Sequence, residues 1–247
     1  AKIIDYVNSF EFSKSDIEFL HELGYEEDFL EYLSAMKFTV SIRSVKEGEI
    51  IFANEPLLRI EAPLIQAQIM ETAILNIVNY QILIATKAAR IKHLCPDEVC
   101  MEFGTRRAHE FDAAIWGTRA SIIGGFDATS NVKAAKLFNI PCSGTHAHSF
   151  VQAYEDEEVA FKKYAAAHKD CYFLVDTYDT LRSGIPTAIK VADELKDEIN
   201  FLGIRLDSGD IAYLSKAARK MLDEAGYPNA KIVASNDLDE DTITHLK

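Results

Sequence analysis

The feature that most constrains the fold is the alternation of apolar, strand-like runs with helical segments through the second part of the chain. The runs occupy residues 99–103, 139–143, 171–175, 199–206 and 230–235. Most intervals between them span roughly thirty residues with a helical pattern, which is the scale of a βα unit. Apolar strands that alternate with helices indicate a parallel sheet, and the sequence lacks the dinucleotide-binding glycine fingerprint. The pattern therefore predicts an α/β fold with part of an irregular β/α barrel of parallel strands.

The first part of the chain has a different pattern. Residues 1–36 predict short helices, one of which begins at Ser13 and Asp16 and ends at Gly24. Residues 37–61 contain three short runs separated by turn residues, KFTVSIRSV, GEIIF and PLLRI. Such runs are typical of a small antiparallel sheet.

Residues 64–94 predict one long helix that is apolar nearly all round and therefore largely buried. Polar side chains at 76, 79, 80 and 81 interrupt its apolar surface, which favours a core helix over a membrane span. We therefore expect two domains. Residues 1–98 form a helical region with a small β-sheet, and residues 99–247 form the barrel portion that contains the site.

Composition excludes some classes of partner. The 247-residue chain has a net charge of −13, whereas a general nucleic-acid or acidic-lipid binder needs a basic surface. The four cysteines show no CxxC pair, and the first residues do not resemble a signal peptide. We expect a cytoplasmic protein with reduced thiols and with no nucleic-acid or membrane partner. The first helical pattern has no residue before it that could cap it. The last begins with Asp237 or Asp239 as its cap but stops without a glycine or a polar tail, and both features predict a piece of a longer protein.

Polar residues follow each predicted strand. The segments are GTRR after 99–103, GTHAHS after 139–143, DTYDT after 171–175, RLDSGD at the end of 199–206, and ND after 230–235. Singly, the acidic segments are also compatible with helix N-caps, and GTRR with a solvated turn. In parallel β/α folds, however, the carboxyl ends of the strands meet at one mouth. Five such segments therefore predict one shared site.

Two chemistries fit these residues. His146 and His148 alternate as strand residues do, so they could bind a metal with Asp207, as in a barrel metallohydrolase. Such a site needs further histidines, and His109 is the one nearby candidate. The alternative is a phosphate and pyrophosphate site, in which arginines bind phosphate, acids hold Mg²⁺ or ribose hydroxyls, and a histidine takes part in phosphoryl transfer. The inventory fits the second chemistry better.

The order of these motifs closely resembles the nicotinate phosphoribosyltransferase family. The resemblance includes EFGTRRAHEFDAAIWGTRASIIGGFDATSNVKAAKLFNIPCSGTHAHSF, VDTYDTLRSGIPTAI, GIRLDSGD and SNDLDE, and extends to GEIIFANEPLLRIEAPLIQAQIMET nearer the start. It implies an enzyme of NAD biosynthesis that makes nicotinate mononucleotide and pyrophosphate from nicotinate and phosphoribosyl pyrophosphate. It also implies ATP hydrolysis coupled through a phosphohistidine, a need for Mg²⁺, and a homodimer.

The resemblance assigns roles to individual residues. His148 matches the phosphorylated histidine, and Asp179 matches the acid that hydrogen-bonds it. Thr145 and Arg205 match positions that hold nicotinate, and Phe103 matches the aromatic that stacks on the pyridine ring. Arg106 resembles the residue that binds the ribose phosphate, and Asp207 a ribose- or pyrophosphate-side acid. No protein residue is assigned as a metal ligand.

Ser130 bears on the choice of substrate. By the resemblance, it stands where nicotinamide-using relatives carry an aspartate. An acid there would repel a carboxylate ligand, so a neutral serine favours nicotinate over nicotinamide.

The chain departs from the family in its length. The resemblance implies an earlier segment, whose aromatic residue crosses a dimer, and later glycine-rich turns that hold the phosphate. Because the sequence contains neither segment, two expectations stand: the chain is inactive alone, or it is one part of a longer protein. The alternatives are a nicotinamide-using relative, a barrel metallohydrolase and an inactive truncated paralogue.

Overall fold

The computed structural model describes residues 2–247, which group into two compact units. The first unit comprises residues 2–89 and Gly104–Phe126, and the second comprises Arg90–Phe103 and Asp127–Lys247. Residues 104–126, which we expected in the second domain, thus group with the first unit.

The first unit contains most of the helices expected near the start. Its elements are α1 (Lys2–Ser9), α2 (Lys14–Glu22), α3 (Glu27–Ala35), β1 (Ser41–Ser44), β2 (Leu58–Glu61), most of α4 (Leu64–Leu94), a 3₁₀ turn (Thr105–Arg107) and α5 (Glu110–Ile123). The start of α2 is a capping box, because Ser13 and Asp16 each accept the other's backbone N–H. Gly24, at φ +86°, follows the end of α2. The predicted boundaries of this helix are confirmed.

The small antiparallel sheet has two strands rather than three. β1 pairs with β2 in an antiparallel register that sets Ser41 opposite Glu61. The GEIIF run, residues 48–52, is irregular and lies between two turns, at 47–48 and 53–54. Glu49 N–H donates to Lys46 O, and Ile50 is 85% exposed. The expected third strand is wrong, because turns at both ends of the run use local hydrogen bonds, as in Glu55 N–H to Phe52 O, in place of a strand partner.

The long helix α4 has the predicted bounds but not the predicted burial. Met70 and Ile74 are buried, whereas Leu75 and Leu83 are about 60% exposed. By length and composition, α4 is the one helix in the described part of the chain that could cross a membrane, which is weak evidence by itself. Tyr80 Oη donates to Ala113 O at 3.0 Å, so this polar position packs against α5. That contact favours a helix packed within the protein.

The second unit is a parallel α/β structure, as predicted. Its strands are β3 (Met101–Glu102), β4 (Ala128–Thr129), β5 (Asp170–Leu174), β6 (Asn200–Leu206) and β7 (Lys231–Ala234). Its helices are α6 (Val132–Phe138), α7 (His148–Gln152), α8 (Glu157–Ala167), a π-helix (Thr180–Gly184), α9 (Ile185–Glu194), α10 (Ile211–Glu224) and α11 (Glu240–Leu246). β3 pairs with β4, and β5, β6 and β7 form a second sheet in that order, all parallel. Within residues 2–247, these strands do not close into a barrel.

One strand prediction needs correction, and one strand was missed. The run 139–143 forms only a single bridge, between Cys142 and Thr129. Pro141 lacks the N–H that a longer ladder needs. β4 was not predicted, because two residues are too short to show a strand pattern.

The strand register of the three-stranded sheet places core side chains on one face and Arg205 on the other. Phe173 lies beside Ile204 and points into a core built with α8, α9 and α10, where Phe161 stacks on Phe173 at 4.8 Å. Leu174 and Arg205 are neighbours in the next register position, on the opposite face. The core fixes the strands, and Arg205 extends from the other side.

Candidate active site

Arg205 is the centre of a hydrogen-bonded group at the carboxyl end of β6. Its Nη1 donates to Thr145 Oγ1 at 2.7 Å, its Nη2 to Asp207 Oδ1 at 2.9 Å, and its Nε to Ser235 Oγ at 2.9 Å. The Arg205 side chain is 12% exposed and that of Asp207 18%. Such partial enclosure strengthens these charged contacts relative to water.

His148, the first residue of α7, lies next to the same group. Its Nε2 is 3.3 Å from Asp207 Oδ2, and its Nδ1 is 3.0 Å from Thr177 Oγ1. The side chain is 35% exposed, so a reagent can reach it. Asp207 therefore contacts Arg205 with one oxygen and His148 with the other.

Asp176 is a second acid beside His148 that we did not predict. Its Oδ2 accepts from Asp207 N and from Ser208 Oγ, at 2.8 and 2.6 Å. Its Oδ1 is buried with no hydrogen-bond partner among residues 2–247, 4.0 Å from His148 Nε2. Asp176 belongs to the DTYD motif and directly follows the β5 run, which was the signal available in the sequence.

The acid expected to bind His148 makes different contacts. The carboxylate of Asp179 accepts from Leu181 N and Arg182 N at 3.2 and 2.9 Å, as the N-cap of the π-helix. The helix-cap interpretation of DTYD thus holds for Asp179, because a carboxylate satisfies the free amides there. The acid next to His148 Nε2 is Asp207.

The remaining predicted residues fall into three positions. Phe103 lies near the group, with its ring centroid 5.7 Å from Arg205 Cζ. Ser130 follows β4, and its backbone N–H donates to Glu102 O at 3.1 Å, but its side chain does not bond to Arg205 in the described part of the chain. Arg106 belongs to the first unit, so its role stays a prediction.

Ser235 and Thr177 are further partners that sequence reasoning missed. Each comes within three residues after a strand, but a single serine or threonine in a polar loop is too common to single out. Their contacts to Arg205 and His148 become visible only when the strands are set side by side.

Asp207 remains ionised in this environment. Burial raises the pKa of its carboxyl, but hydrogen bonds from Ser235 and Arg205 and the charge of Arg205 outweigh burial and lower the pKa. A carboxylate whose pKa is held below its usual value therefore faces His148 Nε2. It favours the tautomer in which Nε2 carries the proton and Nδ1 the lone pair.

His146 does not pair with His148 as a metal ligand. It is 6% exposed and packs edge-on to Tyr164 at 4.7 Å, and its Nε2 accepts from Leu174 N at 3.1 Å. That bond occupies the lone pair that a metal would need. Among residues 2–247, no three His, Cys, Asp or Glu side chains form a group suited to a metal ion. The contacts of His146 weigh against the metallohydrolase alternative.

Burial lowers the pKa of His146 to about 4, so the folded protein holds this imidazole neutral. The unfolded chain binds a proton near pH 6.5, so stability from this site is present above that pH and is lost as pH falls towards 4. The loss should amount to about 3 kcal/mol of unfolding free energy. Urea unfolding between pH 7 and 4 should show a shallower pH dependence for His146→Gln than for the wild type. His245→Gln, at an exposed position in α11, should keep the wild-type slope, and an unchanged slope in His146→Gln would contradict this account.

Comparison with known proteins places the chain in a family. The model of the nicotinate phosphoribosyltransferase (NAPRTase) N-terminal domain matches residues 1–79, and that of the NAPRTase family matches residues 99–247. The chain is 68% identical, over its whole length, to a nicotinate phosphoribosyltransferase of Bacillus subtilis, and it covers 50% of that relative. The chain thus spans about half the length of the curated relatives it matches.

Solved structures agree with this result. The crystal structure of human nicotinic acid phosphoribosyltransferase aligns over 98% of this chain and 61% of its own, with a TM-score of 0.91 at 30% identity. Nicotinate-nucleotide pyrophosphorylase from Pyrococcus furiosus aligns over 83% of this chain and 54% of its own, with a TM-score of 0.76 at 29% identity. On the two family models, which together match most of the sequence, the chain belongs to the nicotinate phosphoribosyltransferase family.

Proposed function

We propose that the protein containing this chain joins nicotinate to the ribose of phosphoribosyl pyrophosphate and couples this transfer to ATP hydrolysis through His148. The observation that supports this most is the single group in which Arg205 and His148 share Asp207. Asp207 thus bridges a guanidinium suited to binding a carboxylate and a histidine suited to phosphorylation.

The ATP step begins at His148 Nδ1. With the Nε2 proton facing Asp207, Nδ1 accepts a hydrogen bond from Thr177 Oγ1. When the Thr177 hydroxyl turns away, the Nδ1 lone pair attacks the γ-phosphorus of ATP. The bond from that phosphorus to the β,γ-bridging oxygen breaks, and its electrons leave with ADP. The ring becomes positively charged, and the Asp207 carboxylate at 3.3 Å stabilises that charge. Water then attacks the phosphorus of the phosphohistidine, the N–P bond breaks with its electrons returning to Nδ1, and phosphate leaves.

Nicotinate would bind with its carboxylate on Arg205 and Thr145 and its ring against Phe103. The pyridine nitrogen attacks the anomeric carbon of phosphoribosyl pyrophosphate, the carbon–oxygen bond to pyrophosphate breaks, and pyrophosphate leaves with the electrons. The nitrogen has a free lone pair, so no general base is needed. Catalysis rests on positioning and on stabilisation of the developing charges.

Mg²⁺ fits the acids of this site. The unpartnered, buried Oδ1 of Asp176 and the nearby Oδ2 of Asp207 are oxygen ligands of the kind that Mg²⁺ prefers. Mg²⁺ bound there would supply positive charge for the phosphates of ATP or of pyrophosphate. By family membership, the proposal also includes a homodimer in the cytoplasm.

The proposal is tested by incubating the complete protein with nicotinate, phosphoribosyl pyrophosphate, ATP and Mg²⁺. We expect nicotinate mononucleotide, pyrophosphate, ADP and phosphate. Absence of the mononucleotide would support an inactive paralogue. Stoichiometric zinc in the purified protein would instead support the metallohydrolase alternative.

Nicotinamide is the competing substrate, and Ser130→Asp tests the choice. An added carboxylate should repel nicotinate and lower its kcat/KM by about tenfold, or about 1.4 kcal/mol, relative to nicotinamide. Ser130→Asn has similar size without the charge and should change the preference far less. If the two variants behave alike, charge at this position does not select the substrate.

A further inference from the structure

Ser235 completes a closed ring of hydrogen bonds with Arg205 and Asp207. Ser235 Oγ accepts from Arg205 Nε at 2.9 Å, Arg205 Nη2 donates to Asp207 Oδ1 at 2.9 Å, and Oδ1 lies 2.5 Å from Ser235 Oγ. The serine has one hydroxyl proton and two acceptors, Asp207 Oδ1 and, at 3.1 Å, Leu206 O. The nearer acceptor is charged, so the proton belongs in the ring. We call this set the Arg205–Ser235–Asp207 ring.

The ring fixes the direction of the guanidinium. Nε and Nη2 are held on one edge, so rotation of the guanidinium plane would break two bonds at once. The Nη1 end is thereby aimed at Thr145, 2.7 Å away, where the carboxylate of nicotinate is expected. Without Ser235, Asp207 would hold Arg205 through one donor, and the plane would gain freedom.

The same ring reaches His148. Asp207 belongs to the ring through Oδ1 and contacts His148 Nε2 through Oδ2. Phosphorylation of His148 at Nδ1 would add roughly −1.5 to −2 charge to the imidazole ring whose Nε2 contacts this carboxylate. A carboxylate is rigid, so any shift at Oδ2 moves Oδ1 as well, and with it the donors of Arg205 and Ser235.

We propose that Ser235 is a positioning residue that makes the ring respond as one unit, so that the charge on His148 sets how strongly Arg205 binds the nicotinate carboxylate. This inference rests on the proposed function and adds a residue to which the resemblance assigned no role. The competing explanation is direct electrostatic interaction between the phosphate and nicotinate through space. The two explanations predict different results for Ser235→Ala. This variant removes the hydroxyl but leaves every charge in place, so a through-space effect would persist and an effect carried by the ring would not.

The experiment measures the KM for nicotinate with and without ATP in the complete protein, with phosphoribosyl pyrophosphate saturating. In the wild type, ATP should change this KM by about fivefold or more, a typical coupling between linked sites. In Ser235→Ala the ratio should fall to within about twofold of one. Ser235→Thr keeps the hydroxyl and should restore the ratio.

Three controls separate the outcomes. Ser215→Ala removes another half-buried hydroxyl, bonded to Ala212 O in α10, and should keep the wild-type ratio. Ser235→Cys is nearly isosteric but has a weak donor, so it should lose the coupling even if the alanine variant unfolds. A wild-type ratio in folded Ser235→Ala, or a ratio of one in the wild type, would overturn the inference. A wild type that forms no nicotinate mononucleotide would overturn the proposed function itself.

Discussion

Replacing His148 with alanine is expected to end the coupling between ATP hydrolysis and nucleotide formation. Alanine has no lone pair to accept the γ-phosphoryl group, so labelling of the protein by γ-phosphate-labelled ATP should fall to background. Formation of nicotinate mononucleotide should drop to the rate that the wild type shows without ATP. The accompanying ATPase activity should fall on the order of 100-fold or more, as when a nucleophile is removed.

The matched control for this variant is His93→Ala, an exposed histidine near the end of α4. It should leave both labelling and the ATP effect unchanged. Full coupling in a His148→Ala protein would mean that another group accepts the phosphoryl, and the assignment of His148 would be lost.

Replacing Gly203 with alanine is expected to destabilise the second unit strongly. β6 carries an extra residue here: Cys171 pairs with Phe201 and Tyr172 with Gly203, so Leu202 forms a bulge. Gly203 has φ +150°, and an added Cβ would lie 2.0 Å from Lys231 O. Overpacking and backbone strain together should cost about 3 kcal/mol or more of unfolding free energy.

Thermal unfolding measures this effect. For a folding unit of about 150–250 residues, about 3 kcal/mol lowers Tm by about 6–12 °C. Gly226→Ala is the matched control, because φ is +88° there but no atom lies within 4 Å of the added Cβ. It should show the smaller cost of a positive φ alone. Equal losses in the two variants would show that the contact with Lys231 costs nothing.

The bulge also matters for the site. Because the side-chain period of a strand is two residues, one inserted residue reverses which face the following side chains occupy. Phe201 and Ile204 thus lie on the core face, and Arg205 lies on the opposite face. A regular strand would not place both Phe201 and Arg205 as the structure does.

The sequence predicted the elements that depend on long periodic patterns. Apolar residues recur at the regular spacing of a helix in α4 and α10, and in apolar runs in the strands of the second sheet. The existence of these elements was therefore predicted correctly. The failures have local causes. Pro141 interrupts one strand run, β4 is too short to leave a pattern, and the burial of α4 depends on tertiary contacts.

The site was predicted at the level of loops but not of individual contacts. Thr145, Arg205 and His148 meet as expected, since parallel strands deliver their carboxyl ends to one edge. Which acid of each motif faces inward was not predictable. Asp176 and Asp179 are three residues apart in one motif, and the turn geometry makes one a buried acceptor and the other a helix cap.

The central claim is that one group of side chains holds an anionic pyridine beside a histidine that accepts phosphate. The most direct test is a crystal structure of the complete protein with nicotinate bound. We predict the carboxylate within hydrogen-bonding distance of Arg205 and Thr145, the ring against Phe103, and His148 facing the same cavity. Nicotinate bound away from Arg205, with the Arg205–Ser235–Asp207 ring undisturbed, would contradict the account.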